Sequence, residues 1–255
     1  MSKIIKMSDE DYFASDALSK SFLARMDCPA KARLPYPESP AMALGSLVHC
    51  AVLEPEELDA RYAVAPLVDR RTKEGKEEYA KFLAEAEGKE VVKSEDMDTA
   101  LGIQRAVRMH SMAYELTADS QKEMAAFWKD GRTGEAMKGK ADILGSNFIA
   151  DLKTCRNASP GAFAKSCADF KYHWQAAHYM RGFDKEQFYF IAVESKPPFV
   201  VEVYQLDELS LDVGRTEIDA ATDRYIEVQE YADWNAGYTD EEVSHTIGLP
   251  AWALK

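Results

Sequence analysis

The sequence predicts an α/β fold, and three observations lead to this prediction. The chain has 255 residues, of which 46% are hydrophobic and 29% charged, so it can bury a sizeable core. Apolar residues recur at helical spacing in the first half, whereas after Ser120 they form alternating or continuous runs typical of strands. A helical segment separates two groups of strands, so helices are expected to pack on a sheet.

The first half is predicted to be mostly helical. Helical periodicity indicates helices over residues 16–31, 41–53, the later part of 69–90, and 95–115. Ser15 or Asp16 is the N-cap expected for the first of these helices, and Pro29 is expected to end it. A rigid loop over residues 35–40 precedes the second helix.

The second half is predicted to hold the sheet. Strands are expected within residues 122–131, 133–154 and 186–206, a helical segment over 158–183, and a long amphipathic helix over 208–232. We expect one domain, residues 1–255, made of a mostly helical part (1–119), a catalytic sheet core (120–207), and a C-terminal helix with its tail (208–255).

Composition limits the function classes. With 44 acidic and 31 basic residues the formal charge is −13, which at first sight disfavours nucleic acid as a partner. Clustered acids can instead bind metal, however, and a nucleic-acid path needs only a locally basic surface. No signal peptide, membrane segment or Cys-x-x-Cys pair is evident, so a cytoplasmic protein with reduced thiols is expected.

The segment from Asp142 to Lys153 carries the clearest chemical signal. Side chains alternate on a strand, so Asp151 and Lys153 share one face. If residues 145–147 form a hairpin turn, Asp142 lies across from Asp151 at about 5 Å, where two carboxylates repel unless a cation lies between them. Mg²⁺ suits such a pair. Lys153 could then orient an attacking water or accept its proton, although an ordinary surface ion pair explains an isolated Asp-x-Lys equally well.

Other segments of the chain match the same known family as these residues do. The sequence resembles the PD-(D/E)XK nuclease superfamily, and more closely the RecE-type exonucleases of phages and prophages (the exonuclease VIII group). Ala141-Asp142 stands where that family has Pro-Asp, and Asp151-Leu152-Lys153-Thr154 where it has D-[LV]-K-T. Further blocks match in order over residues 45–66, 69–76, 127–144, 158–180, 190–207 and 249–253. The resemblance implies a mixed central sheet flanked by helices.

The resemblance also implies roles for individual residues. Asp142 and Asp151 would be the metal carboxylates, the backbone carbonyl of Leu152 a further ligand, and Lys153 the base or the water-orienting group. His49 falls in a G-S-L-V-H block that matches the family's G-[ST]-x-x-H and would be a ligand or its near neighbour. Without the resemblance, a hydrogen-bonded core histidine is the usual explanation for such a residue.

Three further residues are candidates for the site. Gln175 and Tyr179 lie four apart on one face of a predicted helix and match the Q-x-x-x-Y element of RecB-like nucleases, although packing between helix and sheet explains them as well. Glu123 precedes the first strand of the predicted sheet, where relatives often supply another acid. A solvated glutamate is the alternative.

Basic residues are candidates for contacts with DNA phosphates, which would be salt-dependent and blind to sequence. The candidates are Arg70, Arg71, Lys73, Lys76, Lys165 and Lys171. For each of them a solvated surface charge is the alternative.

The resemblance implies a Mg²⁺-dependent exonuclease, with Mn²⁺ able to substitute, that degrades double-stranded DNA from a 5′ end. The 3′ single strand would pass to a RecT-type annealing protein in phage recombination, in the cytoplasm of a bacterial host. A homo-oligomeric ring is expected, with no membrane association. The alternatives are a RecB-like endonuclease, a single-strand nuclease, and, from another class, a catalytically silent DNA-binding or assembly module.

Overall fold

The computed structural model describes residues 2–35, 39–238, 244 and 246–250. The strands are β1 (Lys3–Lys6), β2 (Leu18–Ser19), β3 (Tyr62–Val64), β4 (Glu90–Val92), β5 (Gln121–Lys129), β6 (Ala136–Leu144), β7 (Phe148–Cys155), β8 (Gln187–Glu194) and β9 (Val201–Tyr204). The helices are α1 (Asp9–Ala14), α2 (Lys20–Leu23), α3 (Pro29–Ala32), α4 (Pro40–Leu53), α5 (Leu58–Arg61), α6 (Lys73–Glu85), α7 (Ser94–Met109), α8 (Ser111–Ala118), α9 (Pro160–Asp169), α10 (Tyr172–Phe183) and α11 (Glu208–Tyr231).

The centre of the molecule is a mixed sheet with strand order β1-β5-β6-β7-β8-β9, and the short β2 pairs with β6. Neighbouring strands along this order are antiparallel except β7 and β8, which are parallel and are joined through α9 and α10. A helical crossover is the usual way to connect parallel neighbours. The prediction of a mixed sheet flanked by helices is confirmed.

Two apolar cores cover the two faces of the sheet, as side-chain alternation requires. In β7, Ile149 packs on the side of α9, α10 and α11, whereas Ala150 and Leu152 pack on the side of α4, α7 and α8. In β8, Phe190 and Ile191 divide in the same way. The strands are therefore buried on both faces. A functional site can form only where neighbouring strands of the sheet separate.

Most predicted elements are confirmed. Residues 41–53 form α4, which begins after the N-cap Ser39 with a proline in its first turn, and residues 208–231 form α11. The exposed α6 follows the loop at 69–72, as predicted. The predicted hairpin turn is also present, since the N–H of Gly145 donates to the carbonyl of Phe148.

Three predictions about helices are corrected. Residues 16–31 are not one helix but β2, α2, a turn and α3, because Ser19 caps a new helix and β2 pairs with β6. The helix expected over 95–115 is broken at His110, whose ring accepts a hydrogen bond from the N–H of Ala113 and caps α8. The segment 158–183 is divided by Lys171, which has a left-handed φ of 52°.

The sheet also differs from the predicted division of the chain. β1 pairs with β5 and β2 with β6, so residues 1–119, expected to be mostly helical, contribute two strands to the sheet. Part of the predicted loop, residues 36–38, and the end of the tail, residues 251–255, lie outside the described residues. Within the part that the structure describes, no helix has the length and apolar character needed to cross a membrane.

Candidate metal centre and active site

Acidic residues of three neighbouring strands meet where the sheet opens. β5 and β6 pair at Lys122–Ile143 and at Met124–Ala141, so Glu123 and Asp142 face each other between these pairs. β6 and β7 pair only at Ile143–Ala150 and Leu144–Ile149. Beyond that point a side chain replaces the backbone of β6 as the hydrogen-bond partner of β7, because the N–H of Leu152 donates to Asp142 Oδ2 over 2.8 Å.

Glu123 lies inside β5, not before it, which corrects its predicted position. Its φ of 57° is in the left-handed region, which costs a residue with a Cβ about 1 kcal/mol. Such strain interrupts the pairing with β6. Glu123 Oε2 also lies 2.7 Å from the ammonium of Lys140, which contacts Asp9 as well. The strained residue thus points its carboxylate toward Asp142.

His49 projects from α4 toward the same place. Its Nε2 lies 2.9 Å from the carbonyl oxygen of Leu152, and its Nδ1 lies 3.5 Å from Asp142 Oδ2. Because a carbonyl only accepts, Nε2 carries the proton and donates it. In the neutral imidazole the lone pair of Nδ1 then faces a carboxylate oxygen. Two acceptors that face each other in this way provide a place for a cation.

The donor set fits a divalent metal ion. One ligand atom each from His49, Glu123 and Asp142 lies within 4.8 Å of the other two. Two carboxylates and one imidazole suit Mg²⁺ or Mn²⁺ better than a soft metal. Asp151, predicted as the second metal carboxylate, is not part of this group of three, and Glu123 is.

Asp151 is buried beside the group and held by two neighbours. Its Oδ1 accepts a hydrogen bond of 2.5 Å from Gln175 Nε2, and its Oδ2 lies 2.5 Å from the Lys153 ammonium. Apart from this ion pair with Lys153, Oδ2 accepts no hydrogen bond within the part of the chain that the structure describes. The Lys153 ammonium is therefore the group that compensates this buried carboxylate oxygen.

The surroundings disfavour the charged form of Asp142 on β6 and favour the charged form of Lys153 on β7. Burial raises the pKa of Asp142 to about 7, and the nearby carboxylate of Asp151 acts in the same direction. Burial lowers the pKa of Lys153, but the carboxylates of Asp151 and Asp142 outweigh it, and the net shift is upward. Lys153 is therefore an ammonium here. That state favours orienting water or stabilising charge over acting as a base.

The predicted Gln175 and Tyr179 take different places. Gln175 contacts Asp151 directly, whereas Tyr179 packs against Gly139, where an added Cβ would lie 2.9 Å from its ring. Burial raises the pKa of Tyr179 well above its usual value, and a hydrogen bond from the backbone N–H of Lys140 acts against this rise. Tyr179 thus packs against β6 near the site. The catalytic roles of both residues stay predictions.

A cleft of about 810 Å³ opens above the acids. Its lining includes His49, Glu123, Lys140 and Lys153 of the site, and also Lys6, Glu54 and Arg61. Of these, Lys140 was detectable in the sequence, since it shares a strand face with Asp142 two residues later. Lys6, Glu54 and Arg61 gave no local signal, because their contacts join residues up to 48 positions apart.

The basic residues predicted to contact DNA do not line this cleft. Arg71 makes a bidentate contact with Asp69, Lys73 lies near Glu77, and Lys171 pairs with Asp27. Arg70 stacks over the ring of Tyr79. Lys76 and Lys165 are exposed. Their contacts with DNA stay predictions.

Comparisons with known proteins agree with this architecture. Residues 17–239 match a family described as "PDDEXK-like domain of unknown function (DUF3799)". No curated protein matches the chain. A crystal structure described as "Putative exonuclease" from Eubacterium rectale is 14% identical, with a TM-score of 0.64, and the match covers 89% of this chain and 88% of that one. This likeness shows a shared fold.

Two further crystal structures are similar more remotely. An alkaline exonuclease from Laribacter hongkongensis is 12% identical, with a TM-score of 0.35, over 88% of this chain and 96% of that one. A phage related exonuclease from Haemophilus somnus 129PT is 14% identical, with a TM-score of 0.37, over 88% of this chain and 100% of that one. Both likenesses are too remote to show a shared fold.

Proposed function

The chain belongs to the family of PDDEXK-like domains (DUF3799), and from this premise we propose that it is a metal-dependent nuclease. The observation that carries the proposal is the convergence of His49, Glu123 and Asp142 within 4.8 Å of one another, beside Lys153. An acidic donor set next to an ammonium is suited to phosphodiester hydrolysis.

The residues of the chain have distinct roles in this proposal. His49, Glu123 and Asp142 would hold a divalent ion, Mg²⁺ or Mn²⁺, and Asp151, whose Oδ2 pairs with Lys153, would be a further carboxylate beside them. When bound, the ion supplies Lewis-acid stabilisation of the phosphate and lowers the pKa of water. Lys153 orients the attacking water and stabilises negative charge on the phosphate.

Hydrogen bonds position these groups. Gln175 holds the Oδ1 of Asp151, and Asp151 in turn lies against Lys153, so that the amide sets the position of the ammonium through the carboxylate. On the other side, the Leu152 carbonyl holds Nε2 of His49, so that Nδ1 faces Asp142. Partners of this kind fix a ligand's orientation. In this arrangement the carbonyl of Leu152, predicted as a ligand, orients His49.

We propose further that the substrate is an end of double-stranded DNA, digested from 5′ to 3′ to leave a 3′ single strand. The resemblance of the sequence to RecE-type exonucleases supports this, and the Eubacterium rectale protein that shares the fold is described as a "Putative exonuclease". A ring of identical subunits, a RecT-type annealing partner, and a phage or prophage origin with a place in the cytoplasm of a bacterial host complete the proposal. The RecB-like endonuclease, the single-strand nuclease and the catalytically silent module remain its alternatives.

Digestion of labelled DNA tests the proposal. Linear duplex labelled at the 5′ end, single-stranded DNA and a covalently closed circle are incubated with Mg²⁺ or with EDTA. We expect Mg²⁺-dependent loss of the linear duplex alone, with early release of labelled mononucleotide. Asp142→Asn should be inactive, and Asp119→Asn, which changes an exposed acid outside the site, should retain activity.

The other outcomes select among the alternatives. Cutting of the circle would indicate an endonuclease, and a preference for the single strand would indicate a single-strand nuclease. If no DNA is cut and Mg²⁺ does not stabilise the fold, the chain is a catalytically silent module. Sedimentation of the purified protein measures the size of the assembly, and a monomer would exclude the ring.

A further inference from the structure

A second group of charged residues lies in the same cleft and takes no part in the proposed metal centre. Glu54, the residue directly after α4, is only 5% exposed. Its two carboxylate oxygens hold different cations, since Oε1 lies 2.8 Å from Lys6 Nζ and Oε2 lies 2.8 Å from Arg61 Nη2. Lys6 belongs to β1 and Arg61 to α5, so three separate elements meet at one buried carboxylate.

The two cations keep donors for a ligand. An ammonium has three N–H donors and a guanidinium five, and Glu54 contacts only part of each set. The side chains of Lys6 and Arg61 are 62% and 47% exposed, and both line the cleft. A buried carboxylate thus holds two cations from beneath, and the donors that it does not use are accessible from the cleft.

Glu54 stays ionised in this position. Burial raises the pKa of its carboxyl group, but Lys6 and Arg61 outweigh burial and the net shift is downward. Burying a charged carboxylate is costly, and the two cations compensate for it. The result is one buried negative charge that positions two positive ones, of which Arg61 also lies 4.0 Å from Glu57 Oε2 through its Nε.

The lining of the cleft is less acidic than the protein as a whole. The described residues that line it include four lysines and arginines but three acids, whereas the whole chain has a formal charge of −13. Two of these four cations, Lys140 and Lys153, are paired with Glu123 and Asp151 of the site. Lys6 and Arg61 are the more exposed of these four cations, because the side chains of Lys140 and Lys153 are only 16% and 18% exposed.

We propose that Lys6 and Arg61, positioned by Glu54, form a binding subsite for a phosphodiester group of the DNA strand next to the scissile phosphate. The inference rests on the proposed function, since it assigns this surface to the same substrate. Glu54 follows His49 by five residues, which is about 7.5 Å along a helix. At about 3.4 Å of duplex axis per nucleotide, that distance corresponds to about two phosphates from the cut.

A salt series of duplex affinities tests the subsite. Binding is measured in Ca²⁺, to separate it from cleavage, for wild type, Lys6→Gln/Arg61→Gln and a control pair, Lys3→Gln/Arg108→Gln. Lys3 lies on the opposite face of β1, Arg108 is exposed on α7, and neither lines the cleft. Both pairs change the net charge equally.

Two lost phosphate contacts should lower the log–log salt slope by about 1.8. Between 50 and 200 mM salt, wild type should then lose about 12-fold more affinity than Lys6→Gln/Arg61→Gln. The control pair should keep the wild-type slope. Equal slopes for the two pairs would overturn the proposal. The first pair leaves Glu54 without its cations, so thermal unfolding of each variant is used to confirm that the protein is folded. If the double variant is unfolded, Lys6→Gln alone is measured, with half the expected change in salt slope.

A second measurement changes the DNA and compares wild type with Lys6→Gln. Single phosphates of the duplex are replaced by neutral methylphosphonates, one position at a time. We expect one or two positions near the scissile phosphate to weaken binding of wild type more than that of Lys6→Gln, because the variant has already lost part of the contact. An equal loss at every position in both proteins would overturn the subsite. If wild type cleaves linear duplex while both tests fail, only the subsite is wrong, whereas a wild type that cleaves no DNA contradicts the proposed nuclease itself.

Discussion

Asp130 and Asp142 lie on the same hairpin of β5 and β6, and their surroundings have opposite effects. Asp130, in the turn, is 4% exposed, and its Oδ1 accepts hydrogen bonds from the N–H groups of Arg132 and Thr133 and from the Thr133 hydroxyl. Arg181 contacts its other oxygen. Burial raises the pKa of Asp130, but these donors outweigh it and the net shift is downward.

The carboxylate charge of Asp142 is compensated by fewer hydrogen-bond donors than that of Asp130. The Leu152 N–H and the His49 ring are its neighbours on one side, and the carboxylates of Glu123 and Asp151 are on the other. Its pKa is therefore raised to about 7. A buried acid with enough donors stabilises a fold, whereas one that faces other acids stores unfavourable energy that a cation can release. The difference separates a structural aspartate from a candidate ligand without reference to any relative.

The largest expected effect concerns activity. Asp142→Asn should lower the rate of DNA cleavage by about 10³-fold, since removal of one well-placed electrostatic group has this magnitude. Asp130→Asn should cleave at nearly the wild-type rate at temperatures where it is folded. Rates on labelled linear duplex in Mg²⁺ measure both. The comparison fails if the two variants lose activity to the same degree.

Metal should stabilise only the protein that keeps its ligands. At a Mg²⁺ concentration of 100 times the Kd, binding adds about 2.7 kcal/mol to the free energy of unfolding. We expect this shift, measured by thermal unfolding with and without EDTA, in wild type and in Asp130→Asn. It should be absent or much smaller in Asp142→Asn and in Glu123→Gln. A full shift in Glu123→Gln would remove that residue from the metal centre.

The same substitution should change stability in opposite directions at the two positions. Without metal, Asp130→Asn should lower the free energy of unfolding by about 2 kcal/mol, because charge-assisted hydrogen bonds are lost. Asp142→Asn keeps an acceptor for the Leu152 N–H and removes a repelled charge, so stability should hold or rise. Urea unfolding at pH 7.5 in EDTA measures both. A loss of stability in both variants would show that Asp142 is also structural.

The dependence of these effects on pH should also differ in sign. The folded-state pKa of Asp142 is raised from 3.8 to about 7, so between these values the native state binds more protons than the unfolded state. The advantage of Asp142→Asn over wild type in EDTA should therefore grow as pH rises from about 4 to 7. The pKa of Asp130 is lowered, so its contribution is present above the unfolded value of 3.8 and fades as pH falls below it.

The contrast also explains which features the sequence could predict. The hairpin, α4 and α11 depend on alternation, helical period, caps and turn residues, all of which act over a few neighbours. The helix expected over 16–31 was wrong because β2 forms by pairing with β6, more than a hundred residues away. Glu123 was misplaced because no local pattern reveals a left-handed residue within a strand.

By itself the sequence determined the α/β class, the hairpin that carries Asp142 toward Asp151, and the alternation that sets Asp151 beside Lys153. It also contained the local turn of Asp130, whose donors lie two and three residues away. Only the tertiary structure decided that Glu123 and His49 converge with Asp142, and that Glu54 holds Lys6 and Arg61. The reason is physical: local geometry follows from neighbouring residues, whereas burial and the charges that shift a pKa come from elements that meet only when the chain is folded.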